Sequence, residues 1–361
     1  MEVPIDGVET KVFTIPTERP EADGTISWEA TTVVLAFVSA GGKTGMGYTY
    51  SERAAAGVIR RILSDLVLGQ DAWDVHRCWN EMRHAVRNIG MRGIAGNAIS
   101  AMDTALWDLK ARLLSIPLAD LFGKCRSSVQ IYGSGGFTTY GEADVRHQIE
   151  DWQSVGISLA KIKIAGDSHS ARTRINWARK SLEDDDTLMV DANGAFTVKP
   201  ALSVAEQLPD MGVDWFEEPV SSDDLEGLKL IRRQSAGLDI TAGEYGYDEF
   251  YFRRMLEAGA VDVLQIDATR CQGYSGFLLA ANLAAAHSRP ISSHCAPALH
   301  LPVCLHVPKL MHMEYFHDHV RIESMIFDGV PPVQEGHLAP SDNAPGNGLT
   351  LRESDARKLA A

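Results

Sequence analysis

Two lysines, Lys161 and Lys163 in the stretch SLAKIKIAGD, open a spaced series of ionisable residues. Asp191, Glu217 (followed by Glu218), Glu244, Asp267, His294 and Glu314 come next. They recur at intervals of roughly 20 to 30 residues, the length of one strand-plus-helix unit. KIKIAG itself alternates like a short strand, so both lysines share one face. If that face points inward, each ammonium needs a carboxylate, a ligand or a lowered pKa.

Each of these residues stands at the C-terminal end of a strand-like run. In a βα barrel those ends converge on one rim, where side chains from several strands build a site. Asp191, Glu217 and Glu244 would crowd three carboxylates there, which like-charge repulsion forbids without compensation. A hard cation such as Mg²⁺ resolves the conflict, because it accepts carboxylate oxygens and keeps positions for water and substrate. Lys163 stands on one side of the acids, with Asp267 and His294 on the other. A lysine beside a metal and a second ammonium can have a lowered pKa and act as a base. Asp267 can orient His294 as a dyad. Glu314 is either a donor to substrate when protonated or a buried partner of a lysine. His300, His306, His312, His317 and His319 read as structural. A cation between two opposed proton-transfer groups suits removal of a proton α to a carboxylate.

The elements that would position these residues alternate from about residue 128 onward. Seven strand–helix units are followed by a last strand, LMHMEYFHD. That number favours a barrel over an open sheet. Before it, VETKVFTI, TTVVLAFVSA and MGYTYS read as antiparallel strands, and GIAGNAISAMDTALWDLKARLLSI as a helix. PTERPEADGTISWEA, between the first two strands, reads as a polar loop able to move. The division expected is an α+β domain over 1–122, a barrel over 123–325, and a segment over 326–361 that packs back on the first domain.

Composition narrows the function. The chain has 361 residues and a formal charge of −14, against nucleic acid or an anionic membrane surface as partner. Its five cysteines form no CxxC pair and read as reduced thiols of a cytoplasmic protein. No run of about 18 apolar residues predicts a membrane span, and the N-terminus MEVPIDGVET lacks the pattern of a signal peptide.

Taken in order, these motifs resemble the enolase superfamily, within its mandelate racemase-like subgroup. AISAMDTALWDLKARLLSIPLADLFG resembles the passage from capping domain into barrel. KIK, VDANGAF, WFEEP, AGE, QIDATRCQG, SSH and HMEYF resemble the family's site motifs, and the likeness covers nearly the whole chain. It implies a modified (β/α)7β barrel under an α+β capping domain. It implies Asp191, Glu217 and Glu244 as Mg²⁺ ligands, and Lys163 and the His294–Asp267 pair as the acid–base groups. Lys161 would lower the pKa of Lys163 and touch the substrate carboxylate, with Glu314 as electrophile near that carboxylate. Asn193 matches a position that faces substrate. Arg270, at the rim three residues after Asp267, is a cation for a distal carboxylate or sugar hydroxyls, or a partner of a rim acid. Loops near 14–30 and 45–55 would choose the substrate. The activity implied is dehydration of a sugar acid, with racemisation or epimerisation and lactone cycloisomerisation as alternatives. A barrel that binds metal and ligand without turnover is the alternative of another class. The expected partners are a small-molecule carboxylate and further copies of the chain.

Overall fold

Strands β4 (Val129–Gly135), β5 (Leu159–Lys163), β6 (Thr187–Asp191) and β7 (Val213–Glu217) are short and dominated by buried side chains. β8 (Asp239–Ala242), β9 (Val263–Ile266), β10 (Ile291–Ser293) and β11 (Leu310–Phe316) continue the pattern. Burial on both faces is the mark of parallel strands covered by helices. In the computed structural model, which describes residues 2–341 and 344–359, these strands pair in parallel in chain order, and β11 closes on β4. A helix fills each crossover, from Glu142–Ser154 to Pro297–Cys304. The expected barrel is therefore present. It gains two elements not foreseen: the last strand runs on into a helix, His317–Ile326, and a short strand, His337–Leu338, pairs antiparallel with β4.

Register explains how the site is assembled. Lys163 pairs with Asp191, and Asp191 with Glu217, across three neighbouring strands. Tyr132, Met189, Trp215 and Val263 fill the interior with apolar bulk. Met189 and Trp215 stand two residues before Asp191 and Glu217, so an apolar layer underlies the carboxylates.

The N-terminal strands β1 (Ile5–Ala22), β2 (Ser27–Ala40) and β3 (Lys43–Tyr50) form an antiparallel meander. The segment expected to be a mobile loop is instead the end of this hairpin. β1 continues past a register shift between Pro16 and Glu21, then pairs Glu21 with Trp28 and Ala22 with Ser27. A bulge absorbs the two prolines, and burial of Glu21 and Ala22 secures the tip. The meander packs on the helix Ile94–Leu114, which also docks on the barrel. Ser100 Oγ accepts from Gln272 N and Gly273 N at 2.9 and 3.1 Å, and Asp103 accepts from Ser275 N and Oγ. Near the C-terminus, Arg112 donates to the Leu349 carbonyl, and Glu353 pairs with Lys11 of β1. Among the described residues no helix is long and apolar enough to cross a membrane.

Candidate active site

Lys161 is fully buried in the barrel. Its Nζ donates to both oxygens of Glu217, at 2.8 and 2.7 Å, and lies 2.8 Å from Glu314 Oε1. Tyr132 presents its ring face 5.3 Å away. Glu217 also accepts from Trp215 Nε1 and Gln265 Nε2. Lys163 Nζ donates to Asp191 Oδ2, while Asp191 Oδ1 accepts from Asn193 N at 2.8 Å. One ligand atom from each of Asp191, Glu217 and Glu244 falls within 4.8 Å of the others.

The opposite wall centres on His294. Its Nδ1 lies 2.8 Å from Asp267 Oδ2 and its Nε2 3.2 Å from Glu244 Oε2. Asp267 is held in turn by Thr269 N at 2.7 Å. His300 steadies the same loop: its Nε2 accepts from Ala268 N at 2.7 Å, and its Nδ1 donates to the Ala296 carbonyl. Arg270 Nη1 donates to Glu244 Oε1 and to the Glu244 carbonyl, both at 3.1 Å. It is thus the partner of a rim acid, while also lining the cavity above. Glu314 Oε2 accepts from Cys295 N at 2.7 Å.

Burial alone would depress Lys163, and so would Lys161, but the Asp191 carboxylate outweighs both and raises its pKa. Among the protein's own groups, Asp191 thus favours the protonated form of Lys163. The repulsion between the lysines is the weaker effect, because Lys161 spends its charge on Glu217 and Glu314. Burial likewise opposes a charged His294, and Cys295, Glu244, Glu314 and Asp267 reverse it. Burial would lift Asp267, yet the hydrogen bond from His294 brings it to about 2. Burial would also lift Glu314, and Lys161 pulls it below the usual carboxylate range, so here it is the lysine's partner. Burial and then Asp191 push Glu217 up to about 8, and burial and then Glu244 push Glu218 up strongly. The acid cluster is short of positive charge.

Backbone conformation at the rim is unusual. Asn193, Glu218 and Cys295, each just beyond a strand end, have φ of 47°, 38° and 55°. Non-glycine residues seldom adopt such values outside constrained sites. Above the rim is a cavity of about 300 Å³ lined by Lys163, Asn193, Glu244, Arg270 and His294 below, and by Asp23, Trp28, Thr31 and Tyr50 above. The segments near 14–30 and 45–55 reach it through Asp23, Ile26, Trp28 and Ala30 and through Tyr50 and Ser51, and Thr31 and Thr32 just beyond the first segment also line it.

Sequence reasoning missed several neighbours. His319, read as structural, lines the cavity and stacks on Tyr50 with centroids 3.5 Å apart. Cys295 Sγ lies 3.2 Å from His294 Nε2. Adjacency to His294 was a usable signal for Cys295; His319 had none, since Tyr50 is remote in sequence.

Residues 144–355 match the enolase C-terminal domain-like family, and residues 8–123 match the mandelate racemase/muconate lactonizing enzyme N-terminal domain. The chain is 30% identical to L-talarate/galactarate dehydratase of Salmonella typhimurium, over 98% of this chain and 90% of the relative. A mandelate racemase/muconate lactonizing enzyme-like protein from Rubrobacter xylanophilus superposes with a TM-score of 0.96 at 41% identity, over 99% of this chain and all of the other. A racemase from Streptomyces coelicolor with bound magnesium superposes at 0.91 and 30% identity, again over 99% of this chain and all of the other. With family domains matched along nearly its full length, the chain belongs to the mandelate racemase-like subgroup of the enolase superfamily.

Proposed function

We propose that the protein is a Mg²⁺-dependent dehydratase of a sugar acid, an aldonate or aldarate, giving a 2-keto-3-deoxy acid. One observation carries this reading. A cluster of three buried carboxylates, from three successive strands, lies between an ammonium group and a carboxylate-supported imidazole. The dehydratase relative supports the choice of reaction, and the racemase relative keeps racemisation or epimerisation as the second outcome of the same chemistry.

Asp191, Glu217 and Glu244 suit a hard divalent ion: their donors are all oxygens, all three side chains are buried, and one oxygen from each lies within 4.8 Å of the others. Mg²⁺ held there would supply positive charge against the negative charge that develops when the α-proton leaves. Lys163 and His294 are the two proton-transfer walls. One, left neutral by the charge of the bound cation, would take the α-proton, and the other, still protonated, would give its proton to the departing β-hydroxyl. Asp267 keeps the proton on His294 Nδ1 and so turns Nε2 toward the cavity. Lys161 and Glu314 form a fixed ion pair beneath the substrate carboxylate. Asn193, whose Oδ1 is buried without a partner, and Arg270 reach the substrate from the rim.

The reading treats residues 1–122 as cap, 123–325 as barrel and 326–361 as a segment completing the cap; residues 1, 342–343 and 360–361 lie outside the described residues. It also includes a homo-oligomer working in the cytoplasm on a small-molecule carboxylate. Nucleic acid and membrane are not partners, which the net charge of −14 supports.

The test is a screen of sugar acids with Mg²⁺ in D₂O. A 2-keto product supports dehydration. α-Deuteration without loss of water means racemisation or epimerisation. No exchange with any acid would leave a binding barrel and overturn the reading.

A further inference from the structure

The cavity has two chemically different ends, and the difference bears on which sugar acids it admits. At the barrel end the charged groups are Lys163, Glu244, Arg270 and His294. Their cations are already balanced: Lys163 by Asp191, Arg270 by Glu244 and Asp267, and His294 by Asp267 and Glu244.

At the cap end the lining is Ile26, Trp28, Thr31, Thr32, Tyr50 and their neighbours. Among the described residues, no lysine or arginine lines this end. Its one carboxylate, Asp23, is tied through Oδ1 to the turn amides of Thr25 and Ile26. His319 does not supply a cation. Burial, reinforced by the charge of His294, lowers its pKa to about 3, and its Nδ1 accepts from Ala296 N. The nearby arginines are committed elsewhere. Arg321 holds Asp318 at 2.7 Å and the Pro16 carbonyl at 2.8 Å, and Arg19 pairs with Asp144. Asp318 in turn accepts from the Thr31 hydroxyl, and Thr32 shares a hydrogen bond with Thr14. Trp28 directs its N–H away to Glu21 at 2.9 Å. A second carboxylate at this end would meet Asp23 and no counter-charge, whereas a hydroxyl or methyl terminus would meet neutral and aromatic surface.

We infer that the substrate carries a single carboxylate and an uncharged distal end: the site selects aldonates, or shorter hydroxylated monoacids, and rejects aldarates. This rests on the sugar-acid reading above. An ionised group taken from water into a site without a partner is strongly disfavoured, and one built-in mismatch is enough for discrimination.

The experiment is calorimetric binding of paired six-carbon acids to the Mg²⁺-loaded full chain: gluconate with glucarate, and galactonate with galactarate. Each titration is repeated with the His294→Asn chain, which is expected not to turn over, so that heat of binding is read apart from heat of reaction. We expect at least one aldonate to bind, with its aldarate weaker by about tenfold or more. Ile26 is 63% exposed at the hairpin tip; Ile26→Arg supplies the missing cation and should narrow or reverse the ratio. An aldarate that binds as tightly as its aldonate overturns the inference, as does failure of every acid in both classes to bind. An aldonate that binds selectively without exchange or product upholds the inference and sinks the dehydratase reading instead.

Discussion

Lys163 Nζ lies 2.5 Å from Asp191 Oδ2, at paired register positions on adjacent barrel strands. The same carboxylate is thus asked to serve an ammonium and, in the proposed reaction, a divalent cation. Removing the ammonium removes a competitor for Asp191 as well as a proton carrier. Lys163→Ala should therefore lose about 10²- to 10⁴-fold in turnover yet bind Mg²⁺ at least as tightly as the parent in a calorimetric titration. Weaker Mg²⁺ binding in this variant would mean that Lys163 organises the cluster rather than competing within it.

A second prediction concerns Asp267 and pH. Its carboxyl is lowered from 3.8 to about 2, so the folded state binds fewer protons than the unfolded chain between those values. Its contribution is present above pH 4 and is lost as pH falls through 2; the shift corresponds to about 2 kcal/mol. Asp267→Asn should lower stability by a similar amount at pH 7 and flatten the acid limb of a denaturation series. It should also reduce turnover by about 10²-fold or more, because the imidazole loses the partner that fixes its tautomer. His294→Asn should abolish turnover and, because the hydrogen bond and charge of His294 are what lower Asp267, flatten the acid limb as well.

Buried carboxyls with raised values give the opposite slope. Burial lifts Glu323 from 4.5 to about 8, although Tyr48 Oη at 2.6 Å and Ala298 N at 3.1 Å both donate to it. The folded protein therefore binds the extra proton, and stability from this group falls as pH rises from about 4.5 to 8. Glu323→Gln keeps the shape and removes the titration. Its melting temperature should change less between pH 5 and pH 8 than that of the parent.

The site was legible in sequence because a barrel converts a repeat along the chain into a ring in space. Asp191, Glu217 and Glu244 needed only the strand ends to be read correctly, and each end was marked by an apolar run breaking at an ionisable residue. What stayed hidden depends on pairing between distant segments. The continuation of β1 to Ala22 needs β2 as its partner and a bulge at Pro16, neither of which a local polar composition signals. His319 becomes part of the cavity through Tyr50, some 270 residues away by the difference of their numbers. The charge nearest to Lys163 in sequence is Lys161, whereas the nearest in space is Asp191.

A glycine provides the last prediction. Gly243 precedes Glu244 at the end of β8, with φ of 139°, and a Cβ placed there would sit 2.1 Å from the Gln265 carbonyl oxygen. That oxygen belongs to β9, so it cannot yield without moving a strand. Gly243→Ala should push the two strand ends apart and carry Glu244 away from Arg270 and His294, which lie 3.1 and 3.2 Å from its carboxylate. The expected result is a lowered melting temperature together with weaker Mg²⁺ binding. Gly57, inside the helix Ala54–Val58 with open space around its Cβ position, is the control. Gly57→Ala should stabilise by up to about 1 kcal/mol and leave Mg²⁺ affinity unchanged. If Gly243→Ala melts lower but binds Mg²⁺ like the parent, the strand end is not what places Glu244.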